Sequence, residues 1–256
     1  MDLQQMKEEK DKLEITVSDL YDFKACPLRF KFMKIDKVCK EITSNDGIRE
    51  SLQSVINYYY FHLKQGQQIP LSSLKEKFSS IWNGNLDLYD IYAGDKRNQR
   101  KKELEAIGML NNFYMKQKYE PDLVIASNLD FRIPFGDNFF IKGNIPVIRE
   151  TSAGIEIVVH KMGKHKYDEF WQKTDMGLTL MAMAYESMFK KEIDNIIVHA
   201  LHSGSVHYIH RKKEDYKRLT KTIRMVKESI EKKWLYPRET YACDKCPAKN
   251  LCMEWR

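Results

Sequence analysis

The chain has 256 residues, of which 43% are hydrophobic and 31% are charged, as in a soluble globular protein with a sizeable core. Its 43 Lys and Arg residues against 36 Asp and Glu give a net charge of +7, which suits phosphate-bearing partners as well as simple solubility. No run is long and apolar enough to span a bilayer, and residues 1–14 lack the apolar core of a secretory signal. We therefore expect a cytoplasmic protein with no membrane partner.

Helix signals dominate the first half of the sequence. A charged segment, residues 1–15, is expected to be flexible, and N-cap residues at Thr16–Asp19 then precede an apolar periodic run. The spacing of apolar residues predicts four helices in this half. They cover residues 20–32, continuous or broken at Pro27, and residues 45–63, 71–82 and 96–119, with a loop at residues 83–95.

The pattern changes in the second half, where short apolar or alternating runs predict strands around a hairpin turn at Phe135–Asn138. The predicted strands cover residues 123–125, 130–135, 138–148, 154–160, 195–202 and 206–210, and the predicted helices cover residues 168–188 and 216–234. This order indicates an α/β fold with a mixed sheet and a helical N-terminal lobe. Because no repeat or linker interrupts the sequence, residues 1–256 are expected to form a single domain.

Three of the five cysteines lie within the last sixteen residues, where Cys243, Cys246 and Cys252 form a C-x2-C-x5-C motif. Cys26 is the earlier cysteine in a comparable setting. Four thiolates suit an iron–sulfur cluster or a tetrahedral zinc ion, and their spacing alone leaves both open. Disulfides are disfavoured in a reducing compartment, so the remaining Cys39 is expected to be a buried or incidental free thiol.

The sequence resembles the RecB-like, iron–sulfur branch of the PD-(D/E)XK nuclease superfamily, which includes the CRISPR-associated iron–sulfur exonuclease and the AddB nuclease domain. The similarity covers nearly the whole chain and is carried by SDLYDFKACPLRFKF (Ser18–Phe32) and WLYPRETYACDKCPAKNLC (Trp234–Cys252). It implies a restriction-endonuclease-like mixed sheet flanked by helices. It also implies a [4Fe–4S] cluster that joins the N-terminal lobe to a tail at residues 236–256, with zinc as the alternative. The implied ligands are Cys26, Cys243, Cys246 and Cys252.

The catalytic motifs of that family are degenerate in this sequence. In the family, carboxylates on two adjacent strands hold a divalent metal ion, and a lysine helps to position the attacking water. Here proline occupies the first acid position, Pro146 of Gly143–Pro146, and Val159 occupies the second, while Lys161 is retained. The two helical motifs, Gly47–Ser51 and Gly177–Met181, also lack their usual polar residues. The resemblance therefore implies that no catalytic magnesium or manganese is bound.

Functions of different classes remain open. The first is a catalytically inactive nucleic-acid-binding or scaffolding subunit of a DNA-processing or defence complex, with other protein subunits as partners and DNA favoured as the nucleic acid. The second is an active metal-dependent DNA exonuclease whose ligands have moved to Glu50, Glu150, Glu156 or His160 near Lys161. A protein–protein adaptor that contacts no nucleic acid is the third. The basic residues expected to contact phosphates are Lys161, Lys164, Lys166, Arg211, Lys212 and Lys213.

Overall fold

The computed structural model describes residues 13–38, 44–88, 96–119, 123–164 and 167–255. Its strands are β1 (Leu13–Ile15), β2 (Leu123–Pro134), β3 (Phe139–Thr151), β4 (Gly154–Lys161), β5 (Asn195–Ala200) and β6 (Ser205–Ile209). Its helices are α1 (Val17–Ala25), α2 (Pro27–Phe30), α3 (Ser44–Lys64), α4 (Leu71–Leu88), α5 (Lys96–Tyr119), α6 (Glu169–Thr174), α7 (Met176–Phe189), α8 (Lys213–Glu231) and α9 (Lys249–Met253). A π-helical turn (Lys31–Ile35) follows α2, and a 3-10 turn (Tyr241–Lys245) precedes α9.

The six strands form one mixed sheet in the order β1-β3-β4-β5-β6, and β2 also pairs with β3. The pairs β1/β3 and β4/β5 are parallel, whereas β2/β3, β3/β4 and β5/β6 are antiparallel. Strand β3 pairs with β1 at Phe139–Ile141 and with β4 at Val147–Thr151. The candidate motif Gly143–Pro146 therefore lies in the stretch of β3 between these two pairings.

Helices cover both faces of the sheet. Helices α3, α4 and α5 pack on one face, where their buried side chains meet Val158 of β4 and Ile197 of β5. Helices α1, α7 and α8 pack on the other face, where they meet Ile157 and Val159. We call these surfaces the α3–α5 face and the α7–α8 face. The alternation of side chains along a strand assigns successive residues of β4 to opposite faces.

The break between α1 and α2 follows from local chemistry. Thr16 caps α1 through its side chain, which accepts a hydrogen bond from the backbone N–H of Asp19, and the Asp19 carboxylate accepts from the backbone N–H of Thr16. Cys26 ends this helix and has an extended backbone, and Pro27 is the first residue of α2. Proline disfavours helical conformation in the residue before it and is suited to a first helical position. The predicted break at Pro27 is confirmed.

Four expectations about the elements need correction. The strands expected at residues 123–125 and 130–135 are one continuous strand, β2. Residues 13–15, expected to be part of a flexible segment, form β1 because Ile15 is buried and the strand pairs with β3. The segment 83–95, expected to be a loop, is helical up to Leu88, and residues 89–95 lie outside the described ranges. The helix expected over residues 168–188 is two helices separated at Asp175, whose extended backbone and capping side chain start α7. None of the described helices combines the length and the apolar character needed to cross a membrane.

Candidate functional site

The two strand positions at which acids were expected lie on the paired strands β3 and β4. Val147 and Val158 form the last pair of this ladder, and Pro146 and Val159 are the residues that follow them just beyond its end. Val159 is 5% exposed and packs in the apolar core of the α7–α8 face, and Pro146 is half-buried. Neither side chain carries an atom that can coordinate a metal ion, because hard cations need oxygen ligands.

The geometry of this stretch is otherwise closely specified by its residues. Gly143 pairs with Phe131 of β2, and the Phe131 ring lies against its α-carbon. A β-carbon added at Gly143 would come within 2.5 Å of the ring, so only glycine fits at this position. The contact with Phe131 therefore fixes the backbone of β3 at Gly143, although position 146 carries a proline where an acid was expected.

Lys161, the one retained catalytic-type residue, is held by a carboxylate that does not come from the neighbouring strand. Its Nζ lies 2.8 Å from Oδ2 of Asp175, the residue that caps α7 on the α7–α8 face. The Asp175 side chain is 8% exposed, and the Lys161 side chain is 37% exposed. The lysine thus forms an ion pair with a buried carboxylate at the mouth of the candidate site.

Asp175 has further partners. Its Oδ1 accepts hydrogen bonds from the backbone N–H groups of Gly177 and Leu178, and its Oδ2 accepts one from the Tyr167 hydroxyl at 3.0 Å. Burial alone raises the pKa of this carboxyl, but Lys161 and the hydrogen-bond donors outweigh burial and hold the pKa below its ordinary value. The same carboxylate, together with burial, raises the pKa of Tyr21 to about 12. Asp175 is therefore a charged carboxylate whose oxygens are already satisfied.

Two of the residues considered as relocated ligands, Glu156 and His160, lie on the wrong side of the sheet. They alternate with Val159 and Lys161 along β4, so their side chains lie on the α3–α5 face. Glu156 Oε2 is 2.9 Å from Arg149 Nε in an ion pair of which each side chain is 5% exposed. His160 packs between Tyr60 and Phe113, and burial holds its pKa well below the ordinary value. Neither can join Lys161 in a site.

The other two candidates, Glu150 and Glu50, also lie in other parts of the fold than Lys161. Glu150 pairs with Ile155, six residues before Lys161 on β4, which is about 20 Å at the usual rise per strand residue. Glu50 is exposed on α3, a helix of the opposite layer. The structure therefore does not bring the four proposed replacement ligands together around the lysine.

Three of the six expected phosphate-binding cations, Lys161, Lys164 and Arg211, have partners within the described residues. Lys164 Nζ is 2.8 Å from Glu105 Oε2 on α5, and the Arg211 guanidinium donates to the carbonyls of Gln172 (2.7 Å) and Asp175 (3.2 Å). Lys212 and Lys213 are exposed at the start of α8. Lys166 lies outside the described residues. The expected set does not form one free basic surface.

The four cysteines of the predicted ligand set come together between α2 and the C-terminal tail. Cys26 caps α2, and its Sγ accepts hydrogen bonds from the backbone N–H groups of Arg29 (3.5 Å) and Arg238 (3.4 Å). Cys243 lies in the 3-10 turn, and its Sγ accepts from the backbone N–H of Thr240 at 3.3 Å. Such N–H donors stabilise negative charge on sulfur and are common around metal-bound thiolates.

The tail is joined to α1 and α2 through Arg238. Its guanidinium donates to the carbonyl of Lys24 at the end of α1 and to the Tyr236 hydroxyl, while the backbone N–H of Leu28 donates to the Tyr236 carbonyl at 3.1 Å. These bonds connect segments that are more than 200 residues apart in the sequence. These hydrogen bonds hold the tail against the first two helices.

All four cysteines line one cavity of about 430 Å³ between α2 and the tail. Burial, and after it the negative charge of the neighbouring cysteines, raises the pKa of Cys252. Within the described ranges, no group of three or more His, Cys, Asp or Glu side chains is arranged to hold a single metal ion. Four thiolates with backbone donors around an open space suit an iron–sulfur cluster as a donor set. Cys39 lies outside the described residues.

The family can now be assigned. Residues 14–253 match the sequence profile of the PD-(D/E)XK nuclease superfamily. The chain belongs to this superfamily. Its six-stranded mixed sheet with helices on both faces agrees with the superfamily's fold. Among curated proteins, no sequence matches the chain. A nuclease-superfamily domain suggests that the partner is a nucleic acid.

Sequence reasoning about this superfamily member missed two functional-site residues, Asp175 and Arg238. Asp175 carried a detectable signal, since an aspartate just before a helical run is a strong N-cap residue. The apolar periodicity on both sides of it favoured one continuous helix and hid that signal. Arg238 carried no local signal, because its partners belong to α1 and to its own tail.

Proposed function

We propose that this chain is a catalytically inactive member of the superfamily that works as a nucleic-acid-binding or scaffolding subunit of a DNA-processing or defence assembly. One observation carries the proposal: the two adjacent strand positions expected to hold acids are Pro146 and Val159, and Lys161 is paired with Asp175. A metal ion needs several oxygen ligands at short distances, and this constellation offers a single carboxylate that is already fully bonded.

The burial of Val159 supports loss of the metal site over a small rearrangement. Its side chain belongs to the apolar core under α7 and α8, and an ionised acid there would be costly without a metal or an ionic partner. Lys161, two residues further along the same face of β4, already neutralises Asp175. The position expected to carry the second acid is thus part of the apolar core.

Nucleic-acid binding is supported by the superfamily and by the net charge of +7. Binding through phosphates does not need the lost acids, because basic side chains gain free energy by releasing counterions from the nucleic acid. A chain that binds but does not cut needs a partner to perform the chemistry. We therefore propose that other protein subunits accompany it, and that DNA is the favoured nucleic acid.

We further propose that Cys26, Cys243, Cys246 and Cys252 hold a [4Fe–4S] cluster, with zinc as the alternative. The size of the shared cavity supports the cluster, because a single zinc ion draws four sulfurs to within about 2.3 Å of itself and leaves no such space. The role of the cluster is structural in this proposal. It would reinforce the contacts of Arg238 by a cross-link over a very long loop, which lowers the entropy of the unfolded chain.

The experiment that tests the proposal is a nuclease assay on anaerobically purified, iron-loaded protein. Labelled single- and double-stranded DNA and RNA are incubated with magnesium or manganese, beside a Lys161→Ala variant. No cleavage is expected from either protein. Cleavage by the wild type that disappears in the variant would overturn the inactive assignment, because contaminating nucleases would be present in both preparations.

One observation favours the second candidate, an active metal-dependent DNA exonuclease with relocated acids. The Asp175 carboxylate lies 2.8 Å from Lys161 Nζ and is the one acid found beside the retained lysine within the described residues. If cleavage occurs, the Asp175→Asn substitution and the Lys161→Ala substitution should each abolish it. Activity that survives both substitutions would have to arise from a different site.

A further inference from the structure

Helix α8 has two contrasting sides. Leu219, Ile223 and Val226 face the core of the α7–α8 face and are buried. The opposite side carries four exposed cations at positions i, i+4, i+8 and i+11 of the helix, a spacing that keeps them on one surface. We call this surface the α8 basic face, and its residues are Lys213, Lys217, Lys221 and Arg224.

The cations of the α8 basic face have no acidic partner. None of the four forms an ion pair within the part of the chain that the structure describes. The neighbouring acid Glu228 is paired with Lys232. Lys161 and Lys164, by contrast, are each held by a carboxylate. Unpaired positive charge therefore runs along α8 from Lys213, which belongs to the predicted set, whereas Lys161 and Lys164 of that set are neutralised by carboxylates.

The length of the α8 basic face and the spacing of its charges fit a row of phosphates. Eleven residues of α-helix span about 16 Å, which is the length of about five phosphates along one strand of a DNA duplex. A shallow groove runs along this side and is lined by Tyr216, Thr220 and Met225 besides three of the cations. The Tyr216 hydroxyl is hydrogen-bonded to Glu186. A single strand would need exposed rings on which to stack its bases, and a duplex needs only the regular charges.

We infer that the α8 basic face binds the phosphate backbone of duplex DNA. The inference rests on the nucleic-acid binding proposed above and adds the surface and the form of the nucleic acid. It is independent of catalysis, since none of the four cations contacts Lys161 or Asp175. The face also belongs to the helical layer that covers the candidate site, so a duplex bound there would lie on the same side of the sheet as Lys161.

The test compares two variants of the full-length, iron-loaded protein with equal charge changes. One carries Lys217→Gln, Lys221→Gln and Arg224→Gln; the other carries Arg97→Gln, Arg100→Gln and Lys101→Gln on α5, in the opposite helical layer. Binding to a short labelled DNA duplex is measured at several salt concentrations. Each phosphate contact contributes about 0.9 to the slope of log K against log salt, so the α8 variant should lose about 2.7 from that slope. The α5 variant should keep the slope of the wild type.

The outcomes separate this inference from the proposed function. Three results together support the inference. The wild type binds duplex with a steep salt dependence, the α8 variant binds on the order of 10²-fold more weakly at 0.1 M salt, and the α5 variant binds like the wild type. Equal effects of both variants, or an effect of the α5 variant alone, overturn the inference and leave the proposed binding intact. A wild type that does not bind nucleic acid at all overturns both. The substituted side chains are exposed, so circular dichroism should show both variants folded.

Discussion

Lys161 Nζ and Asp175 Oδ2 are 2.8 Å apart, although the two residues belong to a strand and to the cap of a helix in the layer above it. The pair joins the end of β4 to the start of α7. It occupies the Lys161 ammonium group with a buried carboxylate, although 37% of the lysine side chain stays exposed to solvent. Lys161 thus contributes to the packing between sheet and helix.

The Lys161–Asp175 pair should give the protein an acid-sensitive component of stability. The folded pKa of Asp175 is lowered, so its stabilising effect is present above the unfolded pKa of about 3.9 and is lost as the pH falls through the folded value. Asp175→Asn keeps the cap and removes the charge. We expect a loss on the order of 1 kcal/mol at neutral pH, because Lys161 is partly exposed, and no loss at low pH.

The measurement is urea unfolding between pH 3 and pH 7 for the wild type and the Asp175→Asn variant. Asp168→Asn is a matched control, since Asp168 also caps a helix but is exposed and has its cap bond to Trp171 alone. A constant difference between wild type and Asp175→Asn across this pH range would contradict the assignment of a charged Asp175.

Replacing a cysteine of the predicted ligand set should remove the bound cluster. Cys243→Ser is expected to lose iron, sulfide and the brown colour, and to lower solubility and the melting temperature. Cys39→Ser is the control, because Cys39 is the one cysteine outside the predicted set. Iron and zinc are measured in both by metal analysis. Unchanged iron content and melting of the Cys243→Ser protein would remove the support for a cluster.

Arg238 is expected to hold the tail in place before any group is bound. Arg238→Ala loses the bonds to the Lys24 carbonyl and the Tyr236 hydroxyl but keeps the backbone N–H that contacts Cys26. Hydrogen exchange at residues 236–252 should therefore become faster, and iron should be lost sooner after exposure to a chelator. Exchange in α8 should not change. A tail whose exchange equals that of the wild type would show that the guanidinium contributes nothing to docking.

Removing one partner of the buried Arg149–Glu156 ion pair should lower the free energy of unfolding. Both side chains are 5% exposed, so Glu156→Ala takes from a buried cation the carboxylate that lies 2.9 Å away and should cost about 3–5 kcal/mol. Replacing both residues with apolar ones, Arg149→Met and Glu156→Leu, should recover much of that loss. A double-mutant cycle in urea provides the measurement.

Removal of the exposed Lys173–Glu169 pair serves as the control for that cycle and should change the stability little, since solvent screens it. A single Glu156→Ala substitution that costs no more than this control would mean that water reaches Arg149. The buried pair would then not be a structural feature of the α3–α5 face.

Much of the fold followed from local sequence. The bounds of α5, the break at Pro27 and the turn at Phe135–Asn138 agree with the structure because periodicity, proline and turn residues act locally. The strand at Leu13–Ile15 was missed, because its stability comes from pairing with β3, more than one hundred residues later. Three-residue strands have too little pattern to be detected alone.

The candidate site was only partly predictable. The proline at position 146 and the valine at position 159 can be read from the sequence. The face of the sheet on which Glu156 and His160 lie cannot, because it depends on which strands pair and on which helices cover each face. The partner of Lys161 is fourteen residues away, across a turn and a short helix, so spacing could not suggest it. The convergence of the four cysteines was expected and is seen as one shared cavity. Their role as ligands stays a prediction.

The bond from Arg238 to Cys26 has a consequence for how the protein is made. Some 212 positions separate the two residues, so a ribosome adding about 5–20 residues per second needs roughly 10 to 40 seconds between them. During that interval Cys26 and the end of α1 have emerged without the segment that covers them. A nascent chain would expose the Cys26 thiol and the end of α1 during that interval, so chaperones would meet this surface before the residues that cover it exist.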